Sequence, residues 1–237
     1  MTKEKNLKLD PEEMAEAGLH FGHKTSKTHP KMEPFIFGVR NTIHIIDLEK
    51  AKKEFEKALG FLSQLISEGK KLLLVGTKIQ HKKLIESIAK ECKLPFVNER
   101  WLGGTFTNFP VIKKRIEYFK DLERKKEEGE WEKYTKKERL KLEKELRELR
   151  EKFEGLKNLE KLPDAVFLTN LDKDYLVVKE SKRKGIKTVA ICDTNTDPTL
   201  VDYPIPANDD AISSVKYILE KVKEVILKAQ KAKSKKE

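Results

Sequence analysis

The residues able to do chemistry are few and easily sorted. VGTKIQHKK at 75–83 sets Gly76 and Thr77 between a strand-like run and a helix-like one, the place where doubly wound folds bind phosphate. Neither GxGxxG nor GxxxxGKS/T occurs in the chain, so this turn lacks a nucleotide-binding fingerprint. Lys78, with Lys82 and Lys83, is better suited to the phosphates of a polyanion. Asp193, Asp197, Asp209 and Asp210 could converge at the carboxyl end of a sheet and hold Mg²⁺. The same carboxylates equally suit a turn in DTNTDP and a helix start after Asn208, where no ion is needed, and that plainer reading is adopted. His20, His23 and His29 have no companion at metal-ligand spacing. No Ser-His-Asp, Cys-His or paired-carboxylate pattern can be picked out. The expectation is a protein without catalytic residues, cofactor, metal or small-molecule substrate.

One block stands apart. RWLGGTFTNF, 100–109, has the composition of neither a core strand nor an amphipathic helix. Gly103 and Gly104 can take positive φ, and Trp101, Phe106 and Phe109 can anchor a loop or offer a stacking surface. Asn108 stands where a helix cap belongs, with Pro110 at an early helical position. From the residues alone the block is either an aromatic-pinned turn or a functional loop.

The remaining signal is distributed. The 237 residues carry 51 Lys+Arg against 40 Asp+Glu, a net charge of +11. Such an excess favours a polyanionic partner, nucleic acid first and an anionic membrane surface second. Candidate RNA contacts are Lys24, Lys27 and Lys31 in a loop expected to be mobile, Arg40 before a turn, Lys78, and Arg100 heading the aromatic block. Lys113, Lys114, Arg115, Lys136 and Lys137 join them, as does Arg183 between Lys182 and Lys184. Arginine in particular can hold phosphate in bidentate fashion. No apolar run approaches the roughly 20 residues of a membrane span, and MTKEKNLKLDPEE has no apolar signal-peptide core. Cys92 and Cys192 read as buried free thiols of a reducing, cytoplasmic compartment.

These residues need elements to position them. Asp10, Pro11 and Glu13 open a short helix that Gly18 ends; the loop HFGHKTSKTHPKMEP follows; FIFGV and TIHII are strand-like; Asp47 caps a long helix through Ser67. KLLLVG, a helix over about 78–91, LPFVN, LPDAVFLTN, a helix over 174–184, KTVAIC, DYPIPA and a last helix alternate in the manner of an α/β fold. The fold class is therefore Rossmann-like or flavodoxin-like, a mostly parallel sheet with helices on both faces. Residues 1–110 and 157–228 form the α/β body. Between them, 111–156 has no strand signal, and Leu142, Leu146, Leu149, Phe153 and Leu156 recur in steps of four and three, predicting an inserted antiparallel coiled-coil hairpin. The basic tail 229–237 is expected to be disordered.

Five segments also resemble one family, in order along nearly the whole chain. They are EAGLHFGHKTSKTHPKMEPFIFGVRNTIHIIDLEKA (16–51), LLLVGTK (72–78), RWLGG, LPDAV (162–166) and DTNTDPTLVDYPIPANDDAI (193–212). Together they are similar to the bacterial small-subunit ribosomal protein S2 family. The resemblance implies a Rossmann-like body with a coiled-coil hairpin and a structural, non-enzymatic role near the junction of head and body. It also implies contact with 16S ribosomal RNA and neighbouring ribosomal proteins, the large OB-fold protein S1 among them. Thr169 and Asn170, Ala207, and a tail that is short and basic rather than long and acidic depart from the family's pattern, the last at the expense of the S1 contact.

Overall fold

In the computed structural model, which describes residues 9–234, a short helix and a small antiparallel sheet come first. The Asp10 carboxylate accepts a hydrogen bond from the Glu12 N–H and Pro11 opens α1 (Pro11–Glu16). β1 (Phe21–Lys24), β2 (Ile36–Arg40) and β3 (Ile43–Ile46) then pair in the order β1-β3-β2. The segment expected as one loop is thus a strand followed by two 3-10 turns, Thr25–Lys27 and Pro30–Phe35. Its order comes from far along the chain. The His23 N–H donates to Thr194 Oγ1 and the His29 N–H to the Thr194 carbonyl, each 2.8 Å away, a contact that no local pattern announces.

Asp47 accepts from the N–H groups of Glu49 and Lys50 and starts α2 (Leu48–Ser67). Gly60 lies exposed in the interior of this helix, and a Cβ built there meets nothing within 4 Å. Gly60→Ala is therefore expected to stabilise the protein by about 0.5–1 kcal/mol. A calorimetric melt reads this as a rise of roughly 1–4 °C; an unchanged midpoint would mean that the glycine is needed for something besides the helix.

The body follows as β4 (Leu72–Val75), α3 (Lys82–Cys92), β5 (Phe96–Val97), α4 (Phe109–Glu127), α5 (Lys136–Phe153), β6 (Ala165–Leu168), α6 (Tyr175–Lys184), β7 (Lys187–Cys192), β8 (Tyr203–Pro206) and α7 (Ile212–Ser234). The five strands of this sheet are all parallel, in the order β5-β4-β6-β7-β8. Counted among themselves this is 2-1-3-4-5, the flavodoxin-like order, with its switch point between β4 and β6. Leu72, Leu74, Ala165, Phe167, Val189 and Ile191 face a core shared with α2, α3 and α7. Their neighbours Leu73, Val75, Val166, Leu168 and Ala190 face a second core shared with α4, α5 and α6. That alternation is the period-two geometry of a strand buried on both faces.

α4 and α5 bury Ile112, Ile116, Phe119 and Leu122 against Leu146, Leu149 and Phe153, a seam continuous with the second core. The Tyr118 hydroxyl donates to Glu145, and Arg150 pairs with Glu123. Thr135 and Glu138 form the capping box that TKKE predicts.

Three boundaries differ from the sequence reading. α3 starts at Lys82 rather than Lys78, because the His81 N–H closes a turn on the Lys78 carbonyl and the Lys78 side chain is drawn elsewhere. Asn108 precedes α4 but its side chain makes no capping hydrogen bond; its carbonyl alone receives the Val111 and Ile112 N–H groups. α7 continues through residues 229–234, expected as disordered tail, because Ala229 is buried and Gln230 Nε2 donates to the Cys92 carbonyl. Residues 235–237 lie outside the described residues.

Candidate functional site

At the switch point, where this fold opens a ligand crevice at the carboxyl ends of the strands, the space is filled from within. Gly76 follows β4, and a Cβ there would sit 2.5 Å from Thr169 Oγ1 and 2.8 Å from Ile85. The glycine thus serves close packing between the ends of β4 and β6 and leaves no room for a phosphate. The next N–H, of Thr77, is taken by the Asp174 carboxylate at 3.4 Å, and the Thr77 hydroxyl donates to the same group at 2.8 Å. Burial pushes the Asp174 carboxyl up, against the pull of the Thr77 donors.

Lys78 is part of the same interior. Its Nζ donates to Asp209 Oδ1 at 2.7 Å, to the Asp209 carbonyl at 3.1 Å and to Asp210 Oδ1 at 2.8 Å. Burial opposes the ammonium, but Asp209 and Asp210 outweigh it and hold its pKa above the ordinary lysine value. Asp209 is wholly buried, also receives Asn170 Nδ2, and is pushed up to about 7 by burial and by Asp193. His23 closes the group, with Nδ1 3.1 Å from Asp193 and Nε2 3.3 Å from Asp210. Its hydrogen bond to Asp193 raises its pKa in spite of burial. Lys173 Nζ donates to the Thr77 carbonyl. His81 is fully buried, with Nδ1 3.1 Å from Thr169 Oγ1 and no partner at Nε2; burial and nearby Lys78 lower its pKa to about 4.

Of the four aspartates weighed as a magnesium site, three come together, but around protein cations rather than an open ligand position. Asp193, Asp209 and Asp210 serve His23 and Lys78, whereas Asp197 caps Pro198–Leu200 and pairs with Lys31 at 2.8 Å. Among the described residues no group of three or more His, Cys, Asp or Glu side chains is arranged to hold a metal. Cys92 and Cys192 are free and buried, and burial raises both thiols, that of Cys92 to about 11, so neither is a nucleophile.

The aromatic block is also organised around a carboxylate. Glu180, buried on α6, receives the Gly104 N–H at 2.8 Å, the Phe106 N–H at 2.9 Å and the Thr107 N–H at 3.1 Å. Trp101 Nε1 and the Thr107 hydroxyl complete the set at 3.2 and 3.3 Å. These donors outweigh burial and hold the Glu180 carboxyl below the usual glutamate value. Gly104 takes φ +92° to aim its N–H, and Trp101 packs edge-on against Phe106. Two turns whose backbone N–H groups could cradle a phosphate are therefore occupied by the protein's own carboxylates, Asp174 and Glu180.

The predicted cationic residues divide accordingly. Lys78 is withdrawn into the body. Lys31 is bonded to Asp197 and Thr199. Lys24, Lys27, Arg40, Arg100, Lys113, Lys114, Arg115, Lys136, Lys137 and Arg183 are all exposed, with no ion pair among the described residues. Lys24 and Arg40 are brought together, each opposite Ile43 from either side of β3. Lys113–Arg115 lie in the first turns of α4 and Lys136–Lys137 open α5, where positive charge opposes the helix dipole and so does not serve the helix itself. Sequence reasoning missed Asp174, His81 and Glu180. For Glu180 a signal existed: it shares a helical stripe with Val177, Val178 and Ser181, all buried, and an acid in that phase requires donors.

The family model described as "Ribosomal protein S2" matches residues 14–229. A protein named small ribosomal subunit protein uS2 from Dictyoglomus thermophilum is 47% identical over 92% of this chain and 89% of its own. One of the same name from Dehalococcoides mccartyi is 44% identical over 93% and 90%, and one from Nitratiruptor is 44% identical over 92% and 82%.

Proposed function

The chain belongs to the ribosomal protein S2 family, a structural constituent of the ribosome and not an enzyme, and from that premise we propose how it is held in the small subunit. It is a small-subunit ribosomal protein of the cytoplasm, associated with ribosomal RNA and other ribosomal proteins. The finer reading is that it binds 16S rRNA near the junction of head and body and supports assembly. Neighbouring ribosomal proteins meet the surface that the RNA leaves free; no S1 contact is proposed, because the short basic tail departs from the family's pattern.

The observation that carries the RNA reading is the contrast between closed cradles and open cations. Two internal anion cradles are filled, while ten exposed lysines and arginines on the small sheet and the turn after β1, the aromatic loop, α4, α5 and α6 have no ion pair among the described residues. A nucleotide-dependent enzyme would show the opposite. Structured RNA is recognised by shape and backbone, which scattered cations on a rigid frame satisfy. We read α4 and α5 as an arm that carries two of these clusters.

Binding to a 16S rRNA transcript should therefore weaken steeply with salt. Replacing Lys113, Lys114 and Arg115 with alanine is expected to flatten the slope of log affinity against log salt by about 2, at 0.7–0.9 per phosphate lost. An unchanged slope places these three away from the RNA. In cell lysate the protein should sediment with the small subunit and leave it after ribonuclease.

A further inference from the structure

We infer that the outward face of α6, with Tyr175 at its head, is an RNA-binding surface on which the tyrosine ring stacks against an unpaired base while Lys179, Lys182 and Arg183 take the adjoining phosphates. The inference rests on the ribosomal RNA reading and extends it to a surface of which only Arg183 had been singled out.

The charge pattern of α6 carries the argument. Its sequence is YLVVKESKRK, and its exposed side chains are Tyr175, Leu176, Lys179, Lys182, Arg183 and Lys184. The four cations have no ion pair among the described residues. The helix has one acid, Glu180, and that acid points inward to the donors of the 101–107 loop. The aromatic block thus removes from α6 the one charge that would have interrupted its positive face. Nearby acids do not restore balance: Asp202 is bonded to Lys187 and Thr188, Asp174 is buried on the Thr77 donors, and Asp172 lies before the helix begins.

Helix stability alone does not account for these residues. Cations in the last turn favour the dipole, which covers Lys182, Arg183 and Lys184, but Lys179 sits mid-helix. A solvated helix face ordinarily mixes both signs; the α4 and α5 faces do so, with pairs such as Arg124–Asp121 and Arg150–Glu123.

Tyr175 adds the aromatic partner. It keeps 40% of its surface exposed and Leu176 46%, on the first turn of a helix at the carboxyl rim of the sheet. Lys179 Nζ lies 4.7 Å from the ring centroid, so the ring and a cation form one unit. Gly103, exposed and without a side chain, lies beside Leu176 and leaves the approach open. An exposed aromatic with a cation against its ring and further cations along the same helix is how single-stranded RNA is held, by stacking and phosphate contact together. A protein partner would call for acids of its own to meet four unpaired cations; an RNA backbone supplies them at every nucleotide.

The experiment uses the full chain and a 16S rRNA transcript over a salt series. Tyr175→Ala is expected to weaken binding by roughly 10-fold with the salt slope unchanged, and Tyr175→Phe to bind as the unaltered protein does. Alanine at Lys179, Lys182 and Arg183 together is expected to flatten the slope by about 2. All four side chains are exposed, so thermal melts of the variants should agree with the unaltered protein, and any variant that melts early is replaced by Lys179→Gln alone. If the unaltered protein binds and the α6 variants bind equally well, this inference falls while the RNA reading stands. If the unaltered protein does not bind the transcript, the RNA reading falls and α6 with it. Variants that bind the transcript normally but are lost from small subunits in a gradient place a protein at this face and overturn the inference.

Discussion

Glu180→Gln is expected to destabilise the protein by about 3 kcal/mol, read as a fall of roughly 6–12 °C in the unfolding midpoint for a chain of this size. The two carboxylate oxygens of Glu180 receive five donors: Trp101 Nε1 and the Gly104 N–H on one, and the Phe106 N–H, the Thr107 N–H and the Thr107 hydroxyl on the other. An amide keeps one oxygen and turns its own NH₂ toward the other group of donors, leaving buried N–H groups unpaired. The charge is lost as well, and hydrogen bonds to an ionised acceptor are the stronger kind. The effect has a definite pH sign. The folded pKa of Glu180 is lowered from its ordinary value of 4.5, so its contribution is fully present above that value and disappears as the pH falls through the lower, folded one. The unaltered protein and the variant should therefore differ at neutral pH and converge in acid. Equal midpoints at pH 7 would mean that the Trp101–Phe106 packing holds the loop unaided.

This prediction also marks where the sequence was legible and where it was not. The strands at 72–75, 165–168 and 187–192 are apolar runs of strand length between helical segments, and they form the buried parallel sheet as read. Helix ends set by local chemistry, Asp10 with Pro11, Asp47, and Thr135 with Glu138, also stand where their residues place them. Such features depend on neighbours within a few positions. The site depends on partners that are far apart. Asp174 meets Thr77 across 97 residues, Lys78 meets Asp209 across 131, and Thr194 fixes the His23 backbone across 171. Read locally, Lys78 is one more lysine after a strand, and 20–34 is a polar loop.

The aromatic block shows the same division. Its glycines and aromatics announce an unusual backbone, and Gly104 does take positive φ. What the backbone wraps around could not be read from those ten residues, because the answer is a single glutamate 76 positions beyond Gly104. The distinction between a structural turn and a functional loop also softens. By holding Glu180 the block builds its own fold and at the same time sets the charge of the α6 face.

His81 supplies the second large effect, and it acts on the acid limb of the pH scale, beginning at a higher pH than the paired carboxylates. Its imidazole is fully buried, with Nδ1 bonded to Thr169 and Nε2 without a partner. Burial and Lys78 lower its pKa from 6.5 to about 4, with Lys173 adding to that and Asp210 opposing it. The folded state therefore binds fewer protons than the unfolded one. Its contribution to stability is whole above pH 6.5 and is lost as the pH falls toward 4, up to about 3 kcal/mol over the interval. Two neighbours run the other way. His23 is raised by its bond to Asp193, so it stabilises the fold when protonated, and Asp209, pushed up to about 7, relieves the interior by taking up a proton on acidification. The stability of the unaltered protein will consequently change less between pH 7 and pH 4 than His81 alone demands. The comparison that isolates it is His81→Gln, which retains a hydrogen-bonding side chain toward Thr169 and has nothing to titrate. Urea unfolding at pH 7, 5.5 and 4 should show the unaltered protein losing up to about 3 kcal/mol more than the variant. Parallel curves would mean that the buried ring is charged at neutral pH or reaches solvent when it titrates, and the account of a sealed switch-point crevice would fail with it.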